Sequence, residues 1–94
     1  MPEMITANRL ADGKVVYLDA QDGWAEDFRR GLVLEDVAAR KAALLRGEAS
    51  AGANVVVEPY AIELEMRAGH LAPRTLRERI RAEGPTIGVS SARG

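Results

Sequence analysis

The chain has 94 residues, of which 47% are hydrophobic, and its formal net charge is −1. Sixteen of the hydrophobic residues are alanine, so the larger apolar side chains suffice for one thin core and exclude two domains. The absence of cysteine excludes disulfide bonds, a thiolate nucleophile and thiolate-bound clusters, and the single histidine excludes a histidine-rich metal cage.

The two parts of the sequence carry opposite net charge. Residues 1–36 have a balance of −4, and residues 37–94 have a balance of +3. No apolar run approaches the roughly 20 residues of a membrane span, and no signal-peptide pattern opens the chain. We therefore expect a soluble, cytoplasmic domain without membrane contact.

Extended segments and Asp-Gly turns open the chain. Residues 4–10 and 14–19 are rich in apolar side chains and flank the first Asp-Gly dipeptide, a pattern that predicts a β-hairpin. A second Asp-Gly dipeptide precedes residues 24–28, which we expect to return as a third strand. The N-terminal part therefore predicts a β-meander.

Residues 34–46 follow a helical period. The spacing predicts one buried face, made of Leu34, Val37, Ala38, Leu44 and Leu45. Acidic residues open the segment and basic residues close it, which suits the helix dipole. Gly47 is the expected stop, and the small residues that follow it, up to residue 53, predict a mobile loop.

The next strand segments surround Pro59. Residues 54–58 predict a short strand that the proline interrupts. Residues 60–67 alternate between apolar and polar side chains, which indicates an antiparallel or edge strand. Its predicted buried face consists of Tyr60, Ile62, Leu64 and Met66.

A second helix is predicted near the C-terminus. Pro73 suits a first helical turn, and Thr75 with Glu78 matches a capping box about two residues later. Leu76 and Ile80 are its predicted buried stripe.

The predicted order of elements is β-β-(β)-α-β-β-α. It indicates an α+β domain of residues 1–87, with both helices on one face of a small antiparallel or mixed sheet. The Gly-Pro pair at residues 84–85 is the expected helix stop, and residues 88–94 are the expected flexible tail.

Arginines cluster on the second predicted helix. Arg74, Arg77 and Arg81 are three and four residues apart, so their side chains share one face. Such a ridge suits phosphates, an anionic ligand or an acidic patch on a partner. The simpler alternative is a solvated face crossed by weak ion pairs. Nucleic acid is the poorer functional option, because the chain is slightly acidic and has few aromatic residues.

Carboxylates and the histidine lie near one another around the alternating strand. Glu63 and Glu65 share its wet face and His70 follows, which makes a carboxylate–histidine metal site a weak candidate. Acidic residues on such a face usually serve solubility, so we expect neither a metal nor a cofactor. No glycine-rich phosphate loop, nucleophile elbow or Cys–His pair occurs in the sequence, and we therefore expect no catalytic residues.

Five segments carry a family resemblance; they are Met4-Ile5-Thr6-Ala7-Asn8-Arg9-Leu10, Asp12-Gly13-Lys14-Val15-Val16-Tyr17-Leu18, Trp24, Val57-Glu58-Pro59-Tyr60 and Leu76-Arg77-Glu78-Arg79-Ile80-Arg81-Ala82-Glu83-Gly84-Pro85-Thr86. In this order they resemble a family of short proteobacterial proteins known only as a domain of unknown function. The genes of that family often lie beside those for a sulfite or nitrite reductase and for siroheme synthesis. The resemblance assigns no catalytic residue.

The resemblance implies an accessory role in assimilatory sulfur reduction, with a sulfite or nitrite reductase component as the partner. Without cysteine the chain has no thiol of its own to relay electrons, and one histidine argues against siroheme ligation. Docking remains, since the acidic N-terminal part and the basic last helix offer complementary patches. The leading hypothesis is a non-catalytic adaptor; the alternative is an anion- or nucleic-acid-binding module that uses Arg74, Arg77 and Arg81.

Overall fold

A computed structural model describes residues 2–21 and 23–83 of the chain. The strands are β1 (Glu3–Arg9), β2 (Val15–Leu18), β3 (Trp24–Ala25), β4 (Val56–Arg67) and β5 (His70–Pro73), and the helices are α1 (Val37–Gly52) and α2 (Leu76–Glu83). Within the described residues the strands form one antiparallel sheet in the order β3-β2-β1-β4-β5. The predicted α+β class is confirmed.

The predicted N-terminal hairpin is confirmed. β1 and β2 pair antiparallel with Thr6 opposite Tyr17, and the connecting turn contains Gly13, whose φ of 74° favours glycine. The third strand is shorter than predicted: β3 ends at Ala25, and a single turn of 3-10 helix follows at Phe28–Arg30.

β4 is one continuous strand, so the predicted interruption at Pro59 is wrong. The register of β4 against β1 shifts by one residue just before Tyr60, which is a β-bulge. Glu58 lies in this bulge with a φ of 51°. The bulge accommodates the proline without ending the strand, since Pro is tolerated at such positions.

The predicted buried face of β4 is confirmed at its centre. Ile62 and Leu64 are 5% and 0% exposed, and Tyr60 is half-buried. Met66 is 65% exposed, and its predicted burial is wrong. It lies beyond the end of β1, where β5 alone pairs with β4.

β5 follows a tight turn, and the predicted helical start at Pro73 is wrong. Ala68 and Gly69 have φ values of 51° and 88° and connect β4 to β5, as in two-residue hairpin loops. Pro73 is buried opposite Leu64 as the last residue of β5. The helix therefore begins later, at Leu76.

α1 begins and ends later than predicted. The Asp36 carboxylate caps its first turn by accepting a hydrogen bond of 2.7 Å from the backbone N–H of Ala39. Leu34 precedes the helix and forms a β-bridge to β1. The predicted stop at Gly47 and the predicted loop after it are wrong, because α1 continues to Gly52 through a segment rich in alanine, the best helix former.

α1 turns small residues towards the sheet. The predicted burial of Val37, Ala38 and Leu45 is wrong, because all three are exposed. Gly47 is buried instead, and a Cβ atom at this position would lie 3.2 Å from Cβ of Pro59 on β4. Close contact between α1 and β4 therefore fixes which helix face points inwards.

The two helices pack on opposite faces of the sheet, which differs from the expected one-sided arrangement. Ile5 of β1 clusters with Ala43 of α1. The preceding residue, Met4, clusters with Tyr17, and Ala82 of α2 packs against that cluster. Because successive strand residues point to opposite faces, the sheet is the middle layer between α1 and α2.

The end of α2 is also the end of the described chain. The predicted helix stop at residues 84–85 and the predicted tail at residues 88–94 lie outside the described residues, as does Asp22 of the second Asp-Gly turn. Neither α1 nor α2 has the length and apolar composition required to cross a membrane.

Candidate functional site

Two of the three predicted arginines, Arg77 and Arg81, lie on α2, and Arg74 lies just before it. The first turn of the helix determines the directions in which their side chains point. The backbone N–H of Glu78 donates a hydrogen bond of 3.3 Å to Oγ1 of Thr75, which is one half of the predicted capping box. The Glu78 side chain points towards the sheet instead of completing the box, and the residue is only 8% exposed.

Glu78, Tyr60 and Arg81 form a closed hydrogen-bonded triangle under α2. The Tyr60 hydroxyl donates to Oε2 of Glu78 at 2.5 Å and accepts from Nη1 of Arg81 at 2.7 Å. The same Nη1 donates to Oε1 of Glu78 at 2.8 Å. The side chains of Arg81 and Glu78 are 17% and 11% exposed, so this ion pair is largely shielded from water.

Arg81 connects the triangle to the first strand. Its Nη2 donates to Oδ1 of Asn8 at 3.1 Å, and its Nη1 lies 3.4 Å from Oγ1 of Thr6. The guanidinium carbon is 5.5 Å from the centroid of the Tyr60 ring, within cation–π range. Polar contacts to two strands therefore fix the rotation of α2 about its axis.

The tyrosines beneath α2 stay neutral at physiological pH. Burial raises the pKa of Tyr60, and its hydrogen bond to the Glu78 carboxylate raises that pKa further. Burial also raises the pKa of Tyr17 to about 12. A phenol with such a pKa donates a hydrogen bond and does not serve as a base, so the triangle is suited to holding α2 in place.

The apolar stripe of α2 faces outwards, and its predicted burial is wrong. Leu76 and Ile80 lie one helical turn apart and so share a side of α2, which is the pattern of a buried stripe. They are nevertheless 64% and 40% exposed. The reason is the triangle: Glu78 and Arg81 occupy the inward side of α2 because Tyr60 binds both. α2 is thus polar on its buried side and apolar on part of its exposed side.

The structure gives the three predicted arginines three different environments. Arg81 points inwards, as described above. Nη1 of Arg74 contacts Oε1 of Glu63 at 2.8 Å on the surface. Arg77 is exposed and forms no hydrogen bond or ion pair with a residue of the described chain. The predicted ridge is therefore not a row of three equivalent guanidinium groups.

Sequence reasoning did not assign Tyr60, Asn8 or Thr6 to the site. The spacing of Glu78 and Arg81 allowed an ion pair, but their partners on β1 and β4 are distant in sequence. Tyr60 matched a strand pattern and carried no signal for a polar contact. These residues meet only because α2 folds back across the sheet.

The weak metal candidates have different partners in the structure. Glu63 pairs with Arg74, and Glu65 pairs with Arg67 at 2.9 Å. His70 instead lines a surface groove of about 410 Å³ beside Phe28 and Leu71. Among residues 2–21 and 23–83, no group of three or more His, Asp or Glu side chains is arranged to hold a metal ion.

Comparison with known proteins gives one informative result. Residues 3–90 match the model of a family described as a protein of unknown function, DUF2849. The match spans both helices and all five strands of the described chain. No curated protein and no solved structure gives a significant match.

Proposed function

The chain belongs to the DUF2849 family of unknown function, and we propose that it is a non-catalytic accessory domain that binds a partner protein through the α2 face. The α2 face consists of Leu76, Arg77 and Ile80 on the outer side of α2. The observation that carries the proposal is the outward apolar stripe on a helix whose polar side is buried.

The apolar part of the α2 face supplies binding energy. Leu76 and Ile80 expose 64% and 40% of their surface to water and lie side by side on the helix. Removing one such side chain from water is worth on the order of 1 kcal/mol. A partner that covers both therefore gains affinity without any rearrangement of the core.

The charged part of the α2 face defines the partner's chemistry. Arg77 lies between the two apolar residues in sequence and extends into solvent without a carboxylate partner in the described chain. Arginine is enriched at the energetic centres of protein interfaces, where it pairs with carboxylates. The α2 face therefore suits a shallow apolar depression bordered by acidic side chains.

The buried triangle prepares the α2 face for binding. Tyr60, Glu78 and Arg81 hold α2 against the sheet, so the outward positions of Leu76 and Ile80 are fixed before a partner arrives. A surface that is ordered in advance loses less conformational entropy on association.

The partner we propose is a component of an assimilatory sulfite or nitrite reductase system. The support is the family resemblance together with the basic and apolar character of the α2 face. Because the chain has no cysteine, its contribution is contact with the reductase or its electron donor. Complementary charge at the rim speeds the encounter and makes it depend on salt.

A native pull-down tests the proposal. The tagged full chain is incubated with lysate of its own organism at low salt, and the recovered proteins are identified by mass spectrometry. We expect a reductase component with the wild type and its loss with the double variant L76S/I80S. The matched control is L10S, because Leu10 is 51% exposed in the β1–β2 turn and is not part of the α2 face.

Two results would contradict the proposal. If no reductase component is recovered at low salt, the proposed partner is wrong. If the wild type and L76S/I80S recover it equally, the partner does not bind through the α2 face. An oligonucleotide titration at several salt concentrations distinguishes the anion- or nucleic-acid-binding alternative from the adaptor, since phosphate binding weakens steeply as the ionic strength rises. Tight, salt-sensitive oligonucleotide binding that R77A abolishes would replace the adaptor with an anion-binding module.

A further inference from the structure

A second unpartnered helix surface lies on the opposite side of the molecule. We name it the α1 face; it consists of Val37, Lys41, Leu45 and Glu48, which recur at spacings of four, four and three residues. Val37 and Leu45 are 57% and 67% exposed, and Lys41 and Glu48 are exposed as well. These residues face away from the sheet, since Gly47 forms the contact with β4.

α1 lacks the polar outer surface of an ordinary surface helix. Its other charged side chains turn aside: Arg40 contacts Glu3 at 3.6 Å, and Nη2 of Arg46 donates to the backbone carbonyl of Asp19 at 3.4 Å. Alanine and glycine fill most remaining outward positions. A helix that is apolar on both sides is normally covered on both sides.

The two outward charges of α1 have a specific geometry. Lys41 and Glu48 are seven residues apart, so they lie on the same side of the helix about two turns from each other. That separation is about 10.5 Å along the axis, too far for a mutual ion pair. Neither side chain forms an ion pair within the described residues.

We propose that the α1 face binds a second copy of this chain, with the two α1 helices antiparallel about a two-fold axis that passes between Leu44 and Leu45. This axis places Lys41 of each copy opposite Glu48 of the other, so two equivalent ion pairs form at once. A parallel pairing would place Lys41 opposite Lys41. The charge pattern is therefore self-complementary in the antiparallel orientation alone, as an isologous interface requires.

The surface shape of α1 agrees with this pairing. Lys41, Leu44, Leu45 and Glu48 line a shallow groove of about 240 Å³ at the centre of the helix. With the axis beside Leu45, the exposed Leu45 of one copy enters the groove of the other. The contact is confined to one 16-residue helix, so we expect it to bury less surface than the roughly 1,200 Å² of standard stable interfaces. The dimer is therefore weak, and its population rises with protein concentration.

Charge-swapped variants in sedimentation equilibrium test the dimer. We expect the wild type to show a monomer–dimer equilibrium, and K41E and E48K each to raise the dissociation constant about tenfold or more, since each places like charges at two contacts. The double variant K41E/E48K should dimerise again. A mixture of K41E and E48K should form a heterodimer, because the two variants are complementary to each other.

Disulfide cross-linking tests the orientation independently, because the chain has no cysteine of its own. In the antiparallel pair, position 45 of the two copies is adjacent, whereas position 37 is separated by about 22 Å along the axis. We expect L45C to form a disulfide cross-link on oxidation, and V37C to form none although it still associates non-covalently. Circular dichroism and urea unfolding confirm that each variant is folded.

Three outcomes would overturn the proposal. The first is a wild type that stays monomeric up to about millimolar concentration. The second is a dimer whose dissociation constant is the same in K41E, E48K and the double variant. The third is cross-linking of V37C with the efficiency of L45C, which would indicate a parallel pair.

Discussion

The guanidinium of Arg81, on the last helix, donates a hydrogen bond of 3.1 Å to the side chain of Asn8, on the first strand. The same guanidinium binds Tyr60 and Glu78. α2 is therefore joined to the sheet by polar contacts, while its leucine and isoleucine remain available at the surface. This division explains how α2 can be ordered without its apolar stripe being buried.

Loss of Arg81 should destabilise the fold. The variant R81A leaves the Glu78 carboxylate buried without its cation, and we expect the free energy of unfolding to fall by about 2 kcal/mol. R77A is the matched control on the same helix, with an expected change within about 0.5 kcal/mol. Urea unfolding followed by circular dichroism measures both. Equal effects of the two variants would contradict the inward position of Arg81.

The contact between α1 and β4 should tolerate no branched side chain at Gly47. A Cβ there would lie 3.2 Å from Cβ of Pro59, so we expect G47V to destabilise the protein by about 2 kcal/mol through overpacking. The same substitution at Gly52 meets nothing within 4 Å. G52V should therefore change the free energy of unfolding by less than about 0.5 kcal/mol. Thermal and urea unfolding of the pair distinguish the two sites.

Two isoleucines should respond differently to truncation. Ile62 is 5% exposed in the core, and we expect I62A to cost about 3 kcal/mol. Ile80 is 40% exposed on α2, and we expect I80A to cost less than about 1 kcal/mol. The midpoint of urea unfolding reports both values. A large loss in I80A would show that α2 buries its apolar stripe in solution.

High pH should destabilise the fold through its tyrosines. The folded-state pKa of Tyr17 is about 12, above the value of about 10 of an unfolded tyrosine. A raised pKa means that the stabilising contribution is complete below pH 10 and is lost as the pH rises towards 12. We expect the melting temperature of the wild type to fall across this range, with a smaller fall in Y17F. Parallel curves for the two proteins would argue against this role of Tyr17.

Some of the fold could be predicted because short sequence patterns carried it. An Asp-Gly turn between apolar segments indicated the first hairpin, and the alternation around Ile62 indicated β4. The buried face of α1 was not predictable, because alanines recur on every side of the helix and offer little contrast. Gly47 resembled a helix stop, whereas its actual role is to allow contact with Pro59.

The site was predictable in part for a similar reason. The spacing of Arg77 and Arg81 indicated a shared face, but a polar side chain turns inwards when the sheet supplies partners. Tyr60 and Asn8 are those partners, and they reach Arg81 only through the tertiary fold. The exposure of Ile80 follows from these contacts and from no local pattern.

The bulge at Glu58 determines where β4 can change its length without exposing its buried side chains. Val56 on one side of the bulge packs with Ala7, while Ile62 on the other side packs with Met4, so the two parts of the strand bury side chains of opposite sheet faces. Deleting Glu58 removes the extra residue and leaves both parts facing their own layers. Deleting a residue elsewhere in β4 inverts one part and exposes its core side chains. Length variation among related chains is therefore expected to concentrate at this one position of the strand.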